Sequence, residues 1–575
     1  MTRSELQLVP LATASASGRS PSPTRAGRDA AAVVAITALA FLPALRNGFV
    51  EFDDQQNILE NPMFRGLGPA RIGWMFTTFH MGHWQPLSWV SLGLDYTLWG
   101  LDPLGYHLTN LVLHLTSAAV LFLLARRLLS RAGIPSPGVD AGAAIGALLW
   151  AVHPLRVESV VWITERRDVL SGLFVLLALL AWIQPADRRS RLPLTLVAAV
   201  LALLSKGSAM VLPVLFVVLD VYPLRRRPRG LDLLPFLALA GIGAAVAVVA
   251  AGTAGAISSL ATVPPVQRIA AVMFNLGFYL WKTVLPIRLQ PLYAYPSLTP
   301  VDPLPLAGAA TAVGVAAAAW ALRQRCPALA AAFAFHLAAV APTLGLAQAG
   351  PQLAADRYTY IAGMAWGVLA AGALVSNVPR PRLVAAPFVL VLGLLTATYI
   401  PAWRDGRTLW TRAVAMDPEN VAARLHLANV SQLAGDLDGA VAQIREVLRM
   451  RPQFAEAHAE LAVLLTARRE FDEALAHYRT ALAIDPNPRA EVLSNMGVLL
   501  MRTGKPADAI PLFRGALGRR PDLPGIHENL AQALLMVGNR GEAIAELEAA
   551  LRLDPGAAAA RRALTAIRST GTSLP

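Results

Sequence analysis

The stretch that decides the fold runs from Leu383 to Pro418, LVAAPFVLVLGLLTATYIPAWRDGRTLWTRAVAMDP. Its first half, 383–401, is an apolar run close to the roughly twenty residues that a bilayer core demands of a helix. Just past Pro401 charge returns at Arg404, Asp405 and Arg407, and a proline closes the segment at Pro418. Two regimes of sequence meet here, and each extends outward from the junction.

Toward the C-terminus, prolines recur at Pro418, Pro452, Pro486, Pro521 and Pro555, at spacings of 34, 34, 35 and 34 residues. Small residues keep the same period, Ala428, Ala462, Gly497 and Ala531 in one series and Ala440, Ala474, Ala509 and Ala543 in another. Small side chains at fixed offsets let paired helices approach closely, Ile444, Tyr478, Phe513 and Leu547 fill the space between units, and proline ends each unit. The pattern resembles the tetratricopeptide repeat. It predicts four helix pairs after a half-repeat at 404–417, with a capping helix over 557–567.

Toward the N-terminus, apolar runs lie at 31–50, 106–125, 139–157, 169–184, 192–206, 208–224, 231–252, 303–322, 327–347, 359–376 and 383–401, which predicts about 11 spans. With 55% hydrophobic and only 15% charged residues, the chain is a membrane protein by composition. Its net charge of +13 would suit nucleic acid in a soluble protein, but the excess sits in short arginine clusters between apolar runs. Those clusters, at Arg126, Arg127 and Arg131, at Arg188, Arg189 and Arg191, at Arg225 to Arg227 and Arg229, at Arg323 and Arg325, and at Arg380 and Arg382, fall on alternate connections and mark them as cytoplasmic. The segment 269–287 carries Asn275 and Lys282 and reads as a re-entrant or interfacial helix. The expected architecture is all-α: residues 1–30 a disordered cytoplasmic N-terminus, 31–401 the membrane domain, 402–567 the α-solenoid and 568–575 a disordered tail. Cys326 is the sole cysteine, so no internal disulfide is possible.

This topology puts on the outer face the acid pair Asp53 and Asp54 of NGFVEFDDQQNILENP, the 153–168 loop with His153, Arg156, Glu158, Glu165, Arg166, Arg167 and Asp168, and the cations Lys206 and Arg357. Taken singly, such charges are most simply snorkelling groups or ion pairs. Together, acids in the first outer loop and cations at later helix ends suit transfer of a sugar from a lipid phosphate. A carboxylate would take the acceptor's proton and cations would hold the departing phosphate. His80 and His83 lack a third ligand fixed by spacing, so no metal is assigned, although a divalent ion is possible; no other cofactor is expected. His114 and His336 read as hydrogen-bonding groups between helices.

The pieces FDDQQNILENP, HWQPLSWVSLGLDYTLWGLDPLGYHLTNLVLHL, HPLRVESVVWITERRDVLSGLF, LLSKGSAMVLPVLFVVLDVYPL and ADRYTYI, followed by the repeats, resemble bacterial relatives of the transmembrane and tetratricopeptide repeat-containing O-mannosyltransferases, which belong to the GT-C superfamily. Gln85 stands where the animal members tend to have arginine. The resemblance implies a GT-C-like membrane domain, a polyprenyl-phosphate sugar donor with mannose as the suggested sugar, and a protein Ser or Thr hydroxyl as acceptor, captured by the repeat groove. It implies Asp53 and Asp54 as the catalytic acids, Arg166, Lys206 and Arg357 at the donor phosphate, and His153, Arg156, Glu158 and Asp168 as a polar network. The expected setting is a bacterial inner membrane with the repeats on the outer side, in contact with membrane lipid and no nucleic acid. The alternative is a noncatalytic membrane scaffold that displays the repeats for assembly of an envelope complex.

Overall fold

The computed structural model describes residues 23–184, 188–228, 230–256, 258–260, 262–294, 298–346, 350 and 352–570. The chain is all-α but for a two-stranded antiparallel ribbon that pairs Tyr293–Ala294 with Gln352–Ala354. It divides into two compact units, Met1–Leu409 and Trp410–Pro575.

Among the described residues of the first unit, six helices are long and apolar enough to cross a membrane: Arg25–Arg46, Pro103–Arg131, Gly230–Thr253, Pro303–Ala321, Asp356–Asn377 and Pro381–Trp403. These make the chain a multi-pass membrane protein. A seventh span results if Ser136–Ala151 and Pro154–Val161, bent by 58° at their junction, count as one. The other apolar runs of the expected eleven fall on shorter apolar helices. Ser190–Ser205, Gly207–Val221 and Pro327–Thr343 are shorter apolar helices. The run at 169–184 forms the helix Arg166–Trp182, buried along almost its whole length. A helix that is apolar all round and enclosed by protein need not match the bilayer's thickness.

Residues 269–284 belong to one uninterrupted helix, Pro265–Val284. It lies against Pro303–Ala321 where Gly277 meets Gly308, and a Cβ on either would run into the other helix's backbone. The first helix begins at Pro23, so 23–30 are helical and not disordered; residues 1–22 lie outside the described residues, as do Arg229 and the side chains of Arg188 and Arg189. Prolines at the first turn, as at Pro103, Pro265 and Pro303, start many of these helices, since the donor that proline lacks would be unpaired there anyway.

The second unit is a run of antiparallel pairs: Val421–Leu433 with Leu437–Met450, Ala455–Ala467 with Phe471–Ile484, Ala490–Arg502 with Pro506–Arg519, and Pro524–Met536 with Arg540–Leu553. Gly406–Met416 precedes them and Ala558–Thr570 follows, so 568–570 are helical where a disordered tail was expected; 571–575 lie outside the described residues. Ala440, Ala474, Ala509 and Ala543 are wholly buried, as are Ile444 and Phe513, and Tyr478 and Leu547 are nearly so. At Gly497 a Cβ would press on the Phe513 ring at 2.8 Å, which is why the smallest residue stands there.

Each pair turns through a left-handed residue: Gly435, Gly504 and Gly538 at φ 80°, 75° and 84°, and Arg469 at φ 66° in the second repeat. Only the arginine carries a Cβ into that region, at a cost of roughly 1–2 kcal/mol. Arg469→Gly is expected to stabilise the array by about 1 kcal/mol, net of the extra chain entropy of glycine. Chemical denaturation of the full chain, followed through the repeat transition, measures this; an unchanged midpoint would mean that the turn bears no strain.

Candidate functional site

Between the helices Ser136–Ala151 and Arg166–Trp182 the chain makes three short turns, Pro154–Arg156, Val157–Val161 and Ile163–Glu165, and buries nearly every charge it carries. Buried charges persist only when paired. Glu165, fully buried, is the hub. Its carboxylate accepts from Arg167 Nη2 at 2.6 Å, from Arg167 Nε at 3.2 Å and from Lys206 Nζ at 3.1 Å. Arg357 Nε lies 3.3 Å away as an ion pair. Burial alone would raise this carboxyl, but Arg167, Lys206 and Arg357 together hold it well below the usual range. Lys206 also reaches Asp168 Oδ1 at 2.5 Å, and Ser159 Oγ donates to Asp168 Oδ2 at 3.1 Å. Arg357 pairs with Glu158 through its side chain and, at 2.9 Å, through its backbone N–H. Its guanidinium also lies over the rings of Trp162 and Tyr358, 5.4 and 5.0 Å from their centroids.

The two acids of the first loop play different parts. Asp54 is fully buried and its oxygens are spent: Oδ1 accepts from Thr164 N–H at 2.9 Å and Thr164 Oγ1 at 2.6 Å, and Oδ2 from Val50 N–H at 3.0 Å. It clasps the first loop to the second. Burial pushes its carboxyl up to about 7 against those three donors. Asp53 is half-buried, and among the described residues nothing donates a hydrogen bond to its carboxylate. Burial raises it, while Arg167 and Arg357 pull it down and Glu165 pushes it up. The adjacent Phe52 stacks on Trp162 at 4.9 Å. His83, beside the same charges, is held below its usual range first by the positive charge of Arg167, with Lys206 adding to it.

The structure thus brings together Asp53, Glu158, Asp168, Lys206 and Arg357, but not Arg166. That guanidinium is fully buried in a separate network with Asp95 at 2.6 Å, Ser91 Oγ at 2.8 Å, the Tyr106 carbonyl at 2.9 Å, and Asn110. Its neighbour Arg167 takes the place expected of it, because consecutive residues at a helix start point about 100° apart. The unused signal was Asp95, a carboxylate within an apolar helix that had to find a cation. Arg156 is buried between Trp150 and Tyr360 and donates to Thr359 Oγ1 at 2.7 Å. His153 lies 3.1 Å from the Thr283 carbonyl and caps the following turn through Leu155 N–H at 3.3 Å. Both fasten helices and neither bonds to the cluster around Glu165. Among the described residues no three His, Cys, Asp or Glu side chains converge to hold a metal.

The first loop is also sewn to the end of the last membrane helix. Asn47 Nδ2 donates to the Ile400 carbonyl at 3.1 Å, Gly48 N–H to the Arg404 carbonyl at 2.8 Å, and Gly406 N–H to Glu51 Oε2 at 2.7 Å.

Fold and site together define a multi-pass α-helical membrane protein with a buried ionic cluster in its first unit and a tetratricopeptide-repeat solenoid as its second. Family models described as tetratricopeptide repeat match residues 432–487 and 500–567. Known proteins narrow the likeness: the chain is similar to proteins named as O-mannosyl-transferases of the TMTC kind. It is 32% identical over 259 residues to protein O-mannosyl-transferase Tmtc1 of Drosophila melanogaster, a match covering 39% of this chain and 29% of that one. It is 29% identical over 168 residues to TMTC3 of Mus musculus, covering 27% and 17%. The matched part spans less than a third of these relatives' length. Among solved structures, MamA aligns over 26% of this chain and 87% of its own at 19% identity and a TM-score of 0.24.

Asp54→Ala strands three buried donors, at about 1–3 kcal/mol each, and is expected to lower stability by several kcal/mol, whereas Asp53→Ala should change it by less than about 0.5 kcal/mol. Thermal melts of the purified protein separate the two. The folded-state value of Asp54, about 7, lies above the 3.8 of the free side chain, so folding takes up a proton. The stability this contributes is complete below the unfolded value and is lost as pH rises through the folded one. The stability gap between the parent and Asp54→Asn should therefore vary with pH across that interval; a gap constant with pH would show that Asp54 keeps its charge.

Proposed function

We propose that this protein is a membrane glycosyltransferase that moves a sugar, mannose by its likeness to the O-mannosyl-transferases, from a polyprenyl-phosphate donor to a protein Ser or Thr hydroxyl. The observation that carries the reading is Asp53, a half-buried carboxylate to which nothing among the described residues donates, set beside Arg167 and Arg357. In the reaction the acceptor oxygen bonds to the anomeric carbon, the bond from that carbon to the phosphate oxygen breaks, and Asp53 takes the hydroxyl proton. The polyprenyl phosphate leaves with the extra negative charge, met by Arg167, Lys206 and Arg357 in a water-poor setting. Glu165 keeps those three cations converged and Asp54 holds the loop that carries Asp53. The repeats supply binding energy remote from the reacting atoms, so a whole-protein acceptor gains more from them than a short peptide does.

One observation favours a second reading. Arg167, Lys206 and Arg357 already have carboxylate partners in Glu165, Asp168 and Glu158. A scaffold needs only such internally balanced pairs. Transfer from polyprenyl-phosphate mannose by the purified protein decides between them. Asp53→Asn should lower turnover by a factor of about 10² to 10⁴, the usual worth of a general base, with the melting temperature unchanged. Arg357→Lys should raise donor KM more than it lowers turnover at saturation, because an ammonium cannot offer the planar fork. Full activity of Asp53→Asn, or no transfer by the parent to peptide or protein acceptors, would leave the scaffold.

The same reading sets the protein in a bacterial inner membrane with the arginine-rich ends in the cytoplasm and Asp53 and the repeats outside. Cysteines placed in the 51–65 loop and in the repeats of a Cys326→Ala chain should then react with an impermeant thiol reagent added outside, and one at Gly230 should not. Protection of the repeats would reverse the orientation.

A further inference from the structure

Far from the ionic cluster, a crevice of about 480 Å³ opens between the later halves of the helices Pro103–Arg131 and Thr359–Asn377, the end of Leu212–Val221 and the start of Pro327–Val340. Its walls are apolar, with Leu124, Leu128, Val218, Phe335 and Val368 among them. Along the helix Thr359–Asn377 it extends from Met364 to Asn377, about 20 Å at 1.5 Å per residue. That exceeds the roughly 15 Å that one leaflet contributes to the hydrocarbon core. One end is polar: Arg325, Tyr222 and Cys326 line it, and the charge of Arg225 bears on the Tyr222 hydroxyl. Arg225 and Arg325 are both exposed, and neither has an ion pair among the described residues. The neighbouring carboxylates are taken, Asp140 by Arg126 and Asp220 by Arg226. The mouth therefore carries net positive charge over an apolar slot one acyl chain deep.

We propose that this crevice holds an acyl chain of an anionic phospholipid, a phosphatidylglycerol drawn from the leaflet on the arginine-rich side, with its phosphate between Arg225 and Arg325. Guanidinium groups match phosphate oxygens in a fork, and basic pockets between membrane helices select anionic headgroups. A polyprenyl donor bound at the ionic cluster is a poor occupant. Arg357, in the cluster, precedes the start of Thr359–Asn377, whereas the crevice occupies the opposite end of that helix. The lipid site does not rest on the transferase reading.

Cys326 lines the crevice and is the only cysteine, so it reports occupancy directly. Full-length protein in delipidated detergent micelles is alkylated with a small apolar maleimide, and the rate is followed by intact mass. Added phosphatidylglycerol should slow the reaction more than phosphatidylcholine does, by about fivefold for each guanidinium engaged. Arg225→Gln with Arg325→Gln should erase the difference; both sites are exposed, and the comparison of the two lipids in the parent stands without the variants. Equal slowing by both lipids, slowing by inorganic phosphate alone, stronger slowing by a polyprenyl phosphate, or no slowing by any of them would each overturn the proposal.

Discussion

A carboxylate taken out of water must be met by positive charge, and Glu165 meets that requirement with groups from three places in the chain. Arg167 comes from its own turn, Lys206 from the end of the helix Arg188–Ser205 and Arg357 from the turn after the small ribbon. Remove Glu165 and three cations face one another in a medium that screens poorly. The second loop, the Lys206 corner and the turn after the ribbon at Gln352–Ala354 are held in one arrangement by that anion, with Asp168 on Lys206 and Glu158 on Arg357. Asp54 extends the arrangement to the first loop through Thr164, the residue next to Glu165. The site is thus built in two stages, an ionic hub and a clasp, and Asp53 is left on the rim of both with no bond of its own among the described residues.

Much of this was legible in the sequence because it obeys period or parity. The repeats show themselves through small residues at fixed offsets, since Ala474 or Gly497 cannot be larger without pushing two helices apart. The charged loop shows itself because Glu158, Glu165 and Arg167 are costly among apolar residues unless they converge. What stayed hidden depends on the direction of single side chains. Arg166 and Arg167 are alike in sequence, and only the turn at Ile163–Glu165 sends one toward Asp95 and the other toward Glu165. Asp53 and Asp54 are likewise adjacent, and the bonds to Thr164, a hundred and ten residues away, make one a fastening and leave the other open.

Whether an apolar helix faces lipid or protein was not legible in the sequence, for a physical reason. Apolar content measures how little a segment needs water and does not say whether lipid or protein surrounds it. The helix Arg166–Trp182 is enclosed by its neighbours, whereas in Gly230–Thr253 only 17% of the most apolar window is buried. Both look alike as strings of Leu, Val and Ala.

The three bonds joining 47–51 to 400–406 give the first loop a mechanical role. The chain leaving the membrane unit toward the repeats is anchored at Arg404 and Gly406 to backbone and side chain only a few residues before Asp53. A displacement of 400–406 is therefore shared by the loop that carries the open carboxylate.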